Sequence, residues 1–400
     1  LKPLNTLLSG TGTTIFTVMS ALAVQHGAIN LGQGFPDTEG PADVVEAAVA
    51  ALRDGRNQYA PLTGLVELRE AVAAANQRFY GISIDPASEV VVTSGATEAI
   101  TASLMALLNP GDEVVLIEPV YDTYLPVVRM LGAVPRVVRL TPPKWELPRA
   151  ELAAAFGPRT KAIVLNSPMN PNGKVFTAAE LAFIGDLLQR HDAYAVCDEV
   201  YEHLTFDGWR HIPLMSLPGM RERCLRIGSA GKTFSLTGWK IGYVSADASL
   251  ARLVAKAHQN LTFATAPNLQ RAVAVGLAKD DAYFAGLAEG LAAKRDRLAA
   301  GLAAIGFGVL PTQGSYFITT DFTPLGFVGD DVAFCRHITE QAGVAAIPLS
   351  AFYESEGPRH YARFAFCKTE AVLDTALARL QTHFAQGSNG ARATPLTAAG

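Results

Sequence analysis

The 400-residue chain is short of charge. Asp, Glu, Lys and Arg make up 18% of it against 49% hydrophobic residues, and the formal net charge is −4. A small net charge of that sign gives no global attraction to nucleic acid or to an anionic membrane. Apolar content this high excludes wholesale disorder, and it leaves room for extra burial at a subunit interface. Cysteine is scarce too. Cys197, Cys224, Cys335 and Cys367 form no CxxC and have no His-rich pattern near them. That argues against a zinc site or a disulfide framework and for a reducing compartment, the cytoplasm. Neither GxxxxGK[ST] nor a GxGxxG following a strand is present, which disfavours a P-loop enzyme and a dinucleotide-dependent dehydrogenase. The longest gap in charge runs from Pro3 to Pro36. Within it Thr14–Ala23 has the look of a secretory h-region. However, His26, Asn30 and Gln33 are spread through the rest of the charge-free run, and no clean apolar block of membrane-spanning length exists. The stretch reads as a segment packed against other protein.

What is present alternates short apolar runs with helix-like stretches. Residues 89–93, 112–117, 161–166, 193–197, 224–228 and 240–246 read as strands. Helices are expected at about 97–108 and 177–191. This rhythm predicts an α/β domain with a mostly parallel sheet flanked by helices. The run Val114-Val115-Leu116-Ile117 lacks two-residue alternation, as expected of a strand covered on both faces. After about residue 280 the pattern changes to a long helix over 282–305, a helix near 330–342, a strand over 361–366 and a final helix over 369–384. That predicts a smaller α+β domain. The expected division is 36–275 for the large domain, 1–35 with 276–385 for the small one, and a flexible tail over 386–400.

Open α/β sheets bind ligands at the carboxyl ends of their strands. Three such ends carry chemistry here. In Ser94-Gly95-Ala96-Thr97 a strand stops, a Gly permits a tight turn and a helix begins, so free N–H groups and the helix dipole suit an anion. Asp198 emerges from a buried strand, where a carboxylate needs a cation or an N–H partner. In Ser229-Ala230-Gly231-Lys232-Thr233 a Lys follows a strand in partly apolar surroundings with Lys240 nearby. Such a Lys has a lowered pKa and forms Schiff bases. One ligand with a phosphate, a group wanting a carboxylate and a carbonyl satisfies all three, and pyridoxal phosphate is such a ligand.

Seven ordered motifs then show a resemblance. They are Asn30–Asp37, Asn57-Gln58-Tyr59, Thr93–Ala99, Asn166–Gly173, Asp198–Tyr201, Ser229–Gly242 and Arg363–Lys368. With them the chain resembles the fold-type-I pyridoxal-phosphate aminotransferases of class I/II, closest to the methionine and kynurenine/glutamine branch, from about Thr13 to Phe384. The resemblance implies roles. Lys232 would hold the cofactor as a Schiff base and then move the proton in a ping-pong transamination. Asp198 would pair with the pyridine nitrogen, and Tyr201 and Asn170 would bond the ring's phenolic oxygen. Tyr121 would stack on the ring. Ser94, Gly95, Ala96, Thr97, Ser229 and Lys240 would hold the phosphate, with Lys240 standing where the family often has Arg. Tyr59 would reach the phosphate of a neighbouring subunit, which implies a homodimer with shared active sites. Arg363 would bind the substrate α-carboxylate as a bidentate pair beside Gly34 and Asn170. No metal is implied.

Substrate choice turns on the stretch Asn260–Thr265, which has no Arg and offers Phe263. Phe16 is a candidate second wall. Ala264 stands where kynurenine-type enzymes have His. The expected donor is a neutral, fairly apolar L-amino acid of the methionine, glutamine or aromatic type, with a 2-oxo acid as acceptor. The alternatives are a cysteine-S-conjugate β-lyase and an N-succinyldiaminopimelate aminotransferase on the same scaffold. A non-enzymatic effector-binding module is argued against by the intact Lys232, Asp198 and Arg363.

Overall fold

The computed structural model describes residues 1–10, 12–55, 57–355 and 357–390. They form two compact units. The larger comprises Thr38–Gly290 with Gln313–Ser315. The smaller comprises Leu1–Asp37, Leu291–Thr312 and the chain from Tyr316 onward.

The larger unit is built on a seven-stranded sheet. Its strands are β1 (Val90–Ser94), β2 (Glu113–Glu118), β3 (Val134–Arg139), β4 (Thr160–Asn166), β5 (Tyr194–Asp198), β6 (Cys224–Ser229) and β7 (Ile241–Ser245). Their order is β1-β7-β6-β5-β4-β2-β3. All neighbours are parallel except β7, which runs antiparallel to both β1 and β6. Every residue of β2, β6 and β7 is buried, as a sheet covered by helices requires. The expected strands and their crossover helices are present. Helix Ala178–Arg190 starts at a capping box formed by Thr177 and Glu180. Strand β3 lay outside the sequence reading. It is an edge strand that alternates exposed and covered residues and contains Pro135, which weakens a strand signal.

The division differs from the expected one at residues 36–37, 276–290 and 313–315. Phe284 packs on Phe79, His203 and Phe234, and the N–H groups of Gln313 and Gly314 donate to Gly173 O. These contacts hold 276–290 and 313–315 to the larger unit.

In the smaller unit Tyr361–Ala365 lies between Phe317–Asp321 and Ile347–Pro348 in an antiparallel sheet of four. The charge-free amino-terminal stretch belongs to this unit. Met19, Leu22, Ala23 and Leu31 from it are buried, and Ile29-Asn30 pairs in parallel with Val344-Ala345. The last helix runs Glu370–Gly390, past the expected start of the tail. Residues 391–400 of that tail lie outside the described residues. Among the described residues no helix is long and apolar enough to cross a membrane. All four cysteines are buried and none forms a disulfide.

Candidate active site

In the larger unit the sheet brings the three predicted strand ends together. Thr93 pairs with Gly242 and Ser94 with Ile241, while Ser229 also pairs with Gly242. The ends of β1 and β6 therefore flank the start of β7. Helix Gly95–Leu107 begins at Gly95, two residues earlier than expected. Gly95 has φ +73°, and a Cβ there would lie 3.2 Å from Lys240 Nζ. The missing side chain lets the Lys240 amine approach the amino terminus of the helix, whose first N–H groups have no partner within it. Lys240 itself has φ +54°, a left-handed conformation that a non-glycine residue adopts at a cost. Gly242 is as constrained. A Cβ on it would lie 2.5 Å from Gly95 C and 2.8 Å from Ala96 N. With these features Gly95, half-buried Ala96, exposed Thr97, buried Ser229 and exposed Lys240 could hold a phosphate. The Ser94 N–H donates to the Glu98 carboxylate, so its hydroxyl is the group that would meet an anion.

Asp198 ends β5 and is buried. Tyr124 Oη donates to its Oδ2 at 2.5 Å. Asn166 Nδ2 donates to its carbonyl at 2.9 Å, and Asn166 Oδ1 accepts the N–H of Asn170 at 2.8 Å. Burial, together with the Glu199 charge, raises the Asp198 pKa, opposed by Tyr124, the Val200 N–H and Lys232. A carboxylate made more basic in this way is a strong acceptor for a protonated ring nitrogen. Lys232 lies in the short helix Ala230–Thr233, with Nζ 5.7 Å from the ring centroid of buried Tyr201. Tyr121 is half-buried and meets Tyr124 edge-on at 5.9 Å.

Lys232, Asp198, Tyr201, Asn170, Ser229 and Lys240 thus occupy one region of the larger unit. Tyr124 and Gly242 belong with them and were not singled out. Tyr124 follows Tyr121 by three residues, and nothing local in the sequence tells the two rings apart. Tyr59 and Phe263 lie together on this unit, edge-on at 5.3 Å. Tyr59 is 84% exposed, and Phe263 is 43% exposed with φ +67°.

In the smaller unit Arg363 is 1% exposed, in the middle of strand Tyr361–Ala365. Its guanidinium carbon stands over the rings of Phe317 at 4.0 Å, Phe352 at 5.0 Å and Phe16 at 5.3 Å. One of its Nη groups donates to Gly32 O. Gly34 lies against this cluster. A Cβ there would sit 2.5 Å from Phe317 Cζ, and Tyr316 Oη donates to Gly34 O at 2.5 Å.

The family described as aminotransferase class I and II matches residues 26–380. The chain belongs to this family. A probable N-succinyldiaminopimelate aminotransferase of Mycobacterium tuberculosis is 47% identical over 379 residues, covering 92% of this chain and 95% of that one. The methionine aminotransferase of Escherichia coli is 40% identical, covering 92% and 96%. The solved structure of the N-succinyldiaminopimelate aminotransferase from M. tuberculosis superimposes with a TM-score of 0.93 at 46% identity, over 95% of this chain and 100% of that one. The protein is a pyridoxal-phosphate-dependent aminotransferase.

The larger unit's donor set fits that cofactor. The opening at Gly95 under Lys240 suits a phosphate, and the basic carboxylate of Asp198 suits a pyridine nitrogen. When bound, the cofactor supplies an electron-withdrawing ring that makes the Cα proton of an amino acid removable.

Proposed function

We propose that this aminotransferase moves the amino group of a neutral, fairly apolar L-amino acid, of the methionine, glutamine or aromatic type, to a 2-oxo acid. The observation that carries this reading is the setting of Arg363, a cation enclosed by Phe16, Phe317 and Phe352. A guanidinium offers a carboxylate two parallel N–H bonds, and aromatic faces around it favour an apolar side chain over a second carboxylate. In this reading Arg363, with Gly34 next to it, takes the α-carboxylate, and Asn170 is a substrate contact from the larger unit. Lys232 bonds the cofactor and carries the proton. Asp198 holds the ring nitrogen, and Tyr201 and Asn170 hold its phenolic oxygen. Tyr121 stacks on the ring, and the cradle of Ser94 to Thr97, Ser229 and Lys240 holds the phosphate.

Exposed Tyr59 and Phe263, side by side, support a homodimer in which each serves the neighbouring subunit's site. Active monomers on dilution would overturn that point.

N-succinyldiaminopimelate is a second reading, favoured by the 47% identity to the M. tuberculosis enzyme. One donor screen decides. It offers methionine, glutamine, phenylalanine, kynurenine, N-succinyldiaminopimelate and a cysteine S-conjugate with several 2-oxo acids. It scores keto-acid products and pyruvate plus thiol together. Turnover of the first three supports the proposal. A preference for N-succinyldiaminopimelate selects the second reading, and pyruvate with thiol as the main product selects a β-lyase. Lys232→Ala should abolish transamination, and retained turnover would refute the role of Lys232.

A further inference from the structure

Asp198 and Glu199 are chain neighbours with different partners. Asp198 meets Tyr124, whereas Glu199 meets Arg226 and His211. The same alternation recurs at Tyr201 and Glu202. Tyr201 lies toward Lys232, and Glu202 binds Arg226. Residues Glu199 to Glu202 form a turn closed by the Glu202 N–H donating to Glu199 O at 2.9 Å. Val200 and Tyr201 are its central residues. The carboxylates at its two ends are bound by a single guanidinium. Arg226 Nε donates to Glu199 Oε2 at 2.6 Å and its Nη2 donates to Glu202. The remaining Nη1 donates to Asn76 Oδ1 at 2.9 Å, and the Tyr80 ring lies 4.7 Å from the guanidinium carbon. All three charged side chains are at most 5% exposed.

We propose that Arg226 is a positioning residue for amino transfer: by clamping both ends of the Glu199–Glu202 turn it fixes Tyr201 and Asp198 in the orientation the cofactor requires. This rests on the reading of Asp198 and Tyr201 as cofactor residues. A buried ion pair is a poor device for stability alone, because apolar residues of the same volume often do as well. Its advantage is geometric. A guanidinium is a rigid planar fork, so two carboxylates bound to it hold a set separation. Lysine has the charge without the fork. There is also an electrostatic consequence. The groups that bear on Asp198 are Tyr124, Lys232 and Glu199, and the Glu199 charge makes Asp198 more basic. A clamp that moves therefore changes both the place and the basicity of the cofactor's partner.

The test uses the full-length holoenzyme and the variants Arg226→Lys, Glu202→Gln and Tyr201→Phe, alone and combined. Three quantities are read: the cofactor dissociation constant, the pH midpoint of the bound cofactor's visible band, and kcat and KM separately. Arg226→Lys should raise the dissociation constant about tenfold, the loss of one charged hydrogen bond. It should move the midpoint by about half a pH unit or more, and lower kcat with KM changed by no more than about twofold. Glu202→Gln, nearly isosteric, should do the same to a smaller extent, and it carries the test if Arg226→Lys does not fold. In the Tyr201→Phe background the effect of Arg226→Lys on the midpoint should shrink, because the two act through one turn. If the variants lose only thermal stability and keep midpoint, cofactor affinity and kcat, the positioning role is wrong. If the wild-type protein gains no visible band with pyridoxal phosphate, the cofactor reading itself fails.

Discussion

Arg226 and Arg363 are both almost wholly buried, at 3% and 1% exposure, yet their surroundings differ in kind. Arg226 meets two carboxylates and an amide. Burial alone would lower its pKa, but Glu202 and Glu199 raise it. Around Arg363 stand three phenylalanine rings and the Gly32 carbonyl. Aromatic faces attract a cation without neutralising it, whereas carboxylates neutralise it within the fold. The first setting suits a part that must hold still. The second is the setting from which Arg363 is proposed to bind the substrate carboxylate. Burial of a charge is therefore not by itself a mark of function. The partners decide.

The comparison breaks most readily at Arg226. Arg226→Met should destabilise the protein by about 3–5 kcal/mol, since two buried carboxylates lose their cation. Urea unfolding followed by far-UV circular dichroism measures this, and a loss comparable to that of Arg363→Lys would erase the distinction. Arg363→Lys should instead act on substrate. The fork is lost while the charge remains, so kcat/KM should fall about 10- to 100-fold, mostly through KM, with little change in the urea midpoint.

Acid sharpens the contrast further. Burial alone would raise the Glu202 pKa, but Arg226, with His203 and His211, holds it at about 2 against an ordinary 4.5. A carboxylate with a lowered folded pKa contributes stability above its unfolded pKa and loses it as pH falls through the folded one. Stability from this group should thus be full above about pH 4.5 and fade toward pH 2. In Glu202→Gln the acid unfolding curve should flatten over that window, and an unchanged slope would count against the pairing. The smallest expected effect is at Gly34. Gly34→Ala would press on Phe317, the ring nearest Arg363. KM should rise by about tenfold or less with the fold retained, and an unchanged KM would separate Gly34 from the Arg363 cluster.

Much of the larger unit was legible before any coordinates. Buried strands announce themselves as apolar runs, and a Gly or a charged residue directly after such a run marks a strand end. That pattern picked out Gly95, Asp198 and Lys232. The edge strand Val134–Arg139 escaped because half-exposed residues and a proline blur the apolar run. Tyr124 and Arg226 escaped for another reason. Tyr124 sits beside a second tyrosine with the same local signal. Arg226 is a lone cation inside a strand, and its carboxylates lie 24 and 27 residues away in sequence.

The amino-acid sequence by itself determined the buried strands and their alternation with helices, the polar residues at the strand ends and the charge-free stretch before Pro36. These follow from local periodicity and local backbone preferences. Which residues meet was decided by tertiary structure alone. The antiparallel insertion of β7 brings Lys240 to Gly95, the turn after β5 gives Glu199 and Glu202 to one arginine, and three distant phenylalanines surround another. The physical reason is that electrostatic and aromatic contacts act over a few ångströms in space and are blind to separation along the chain.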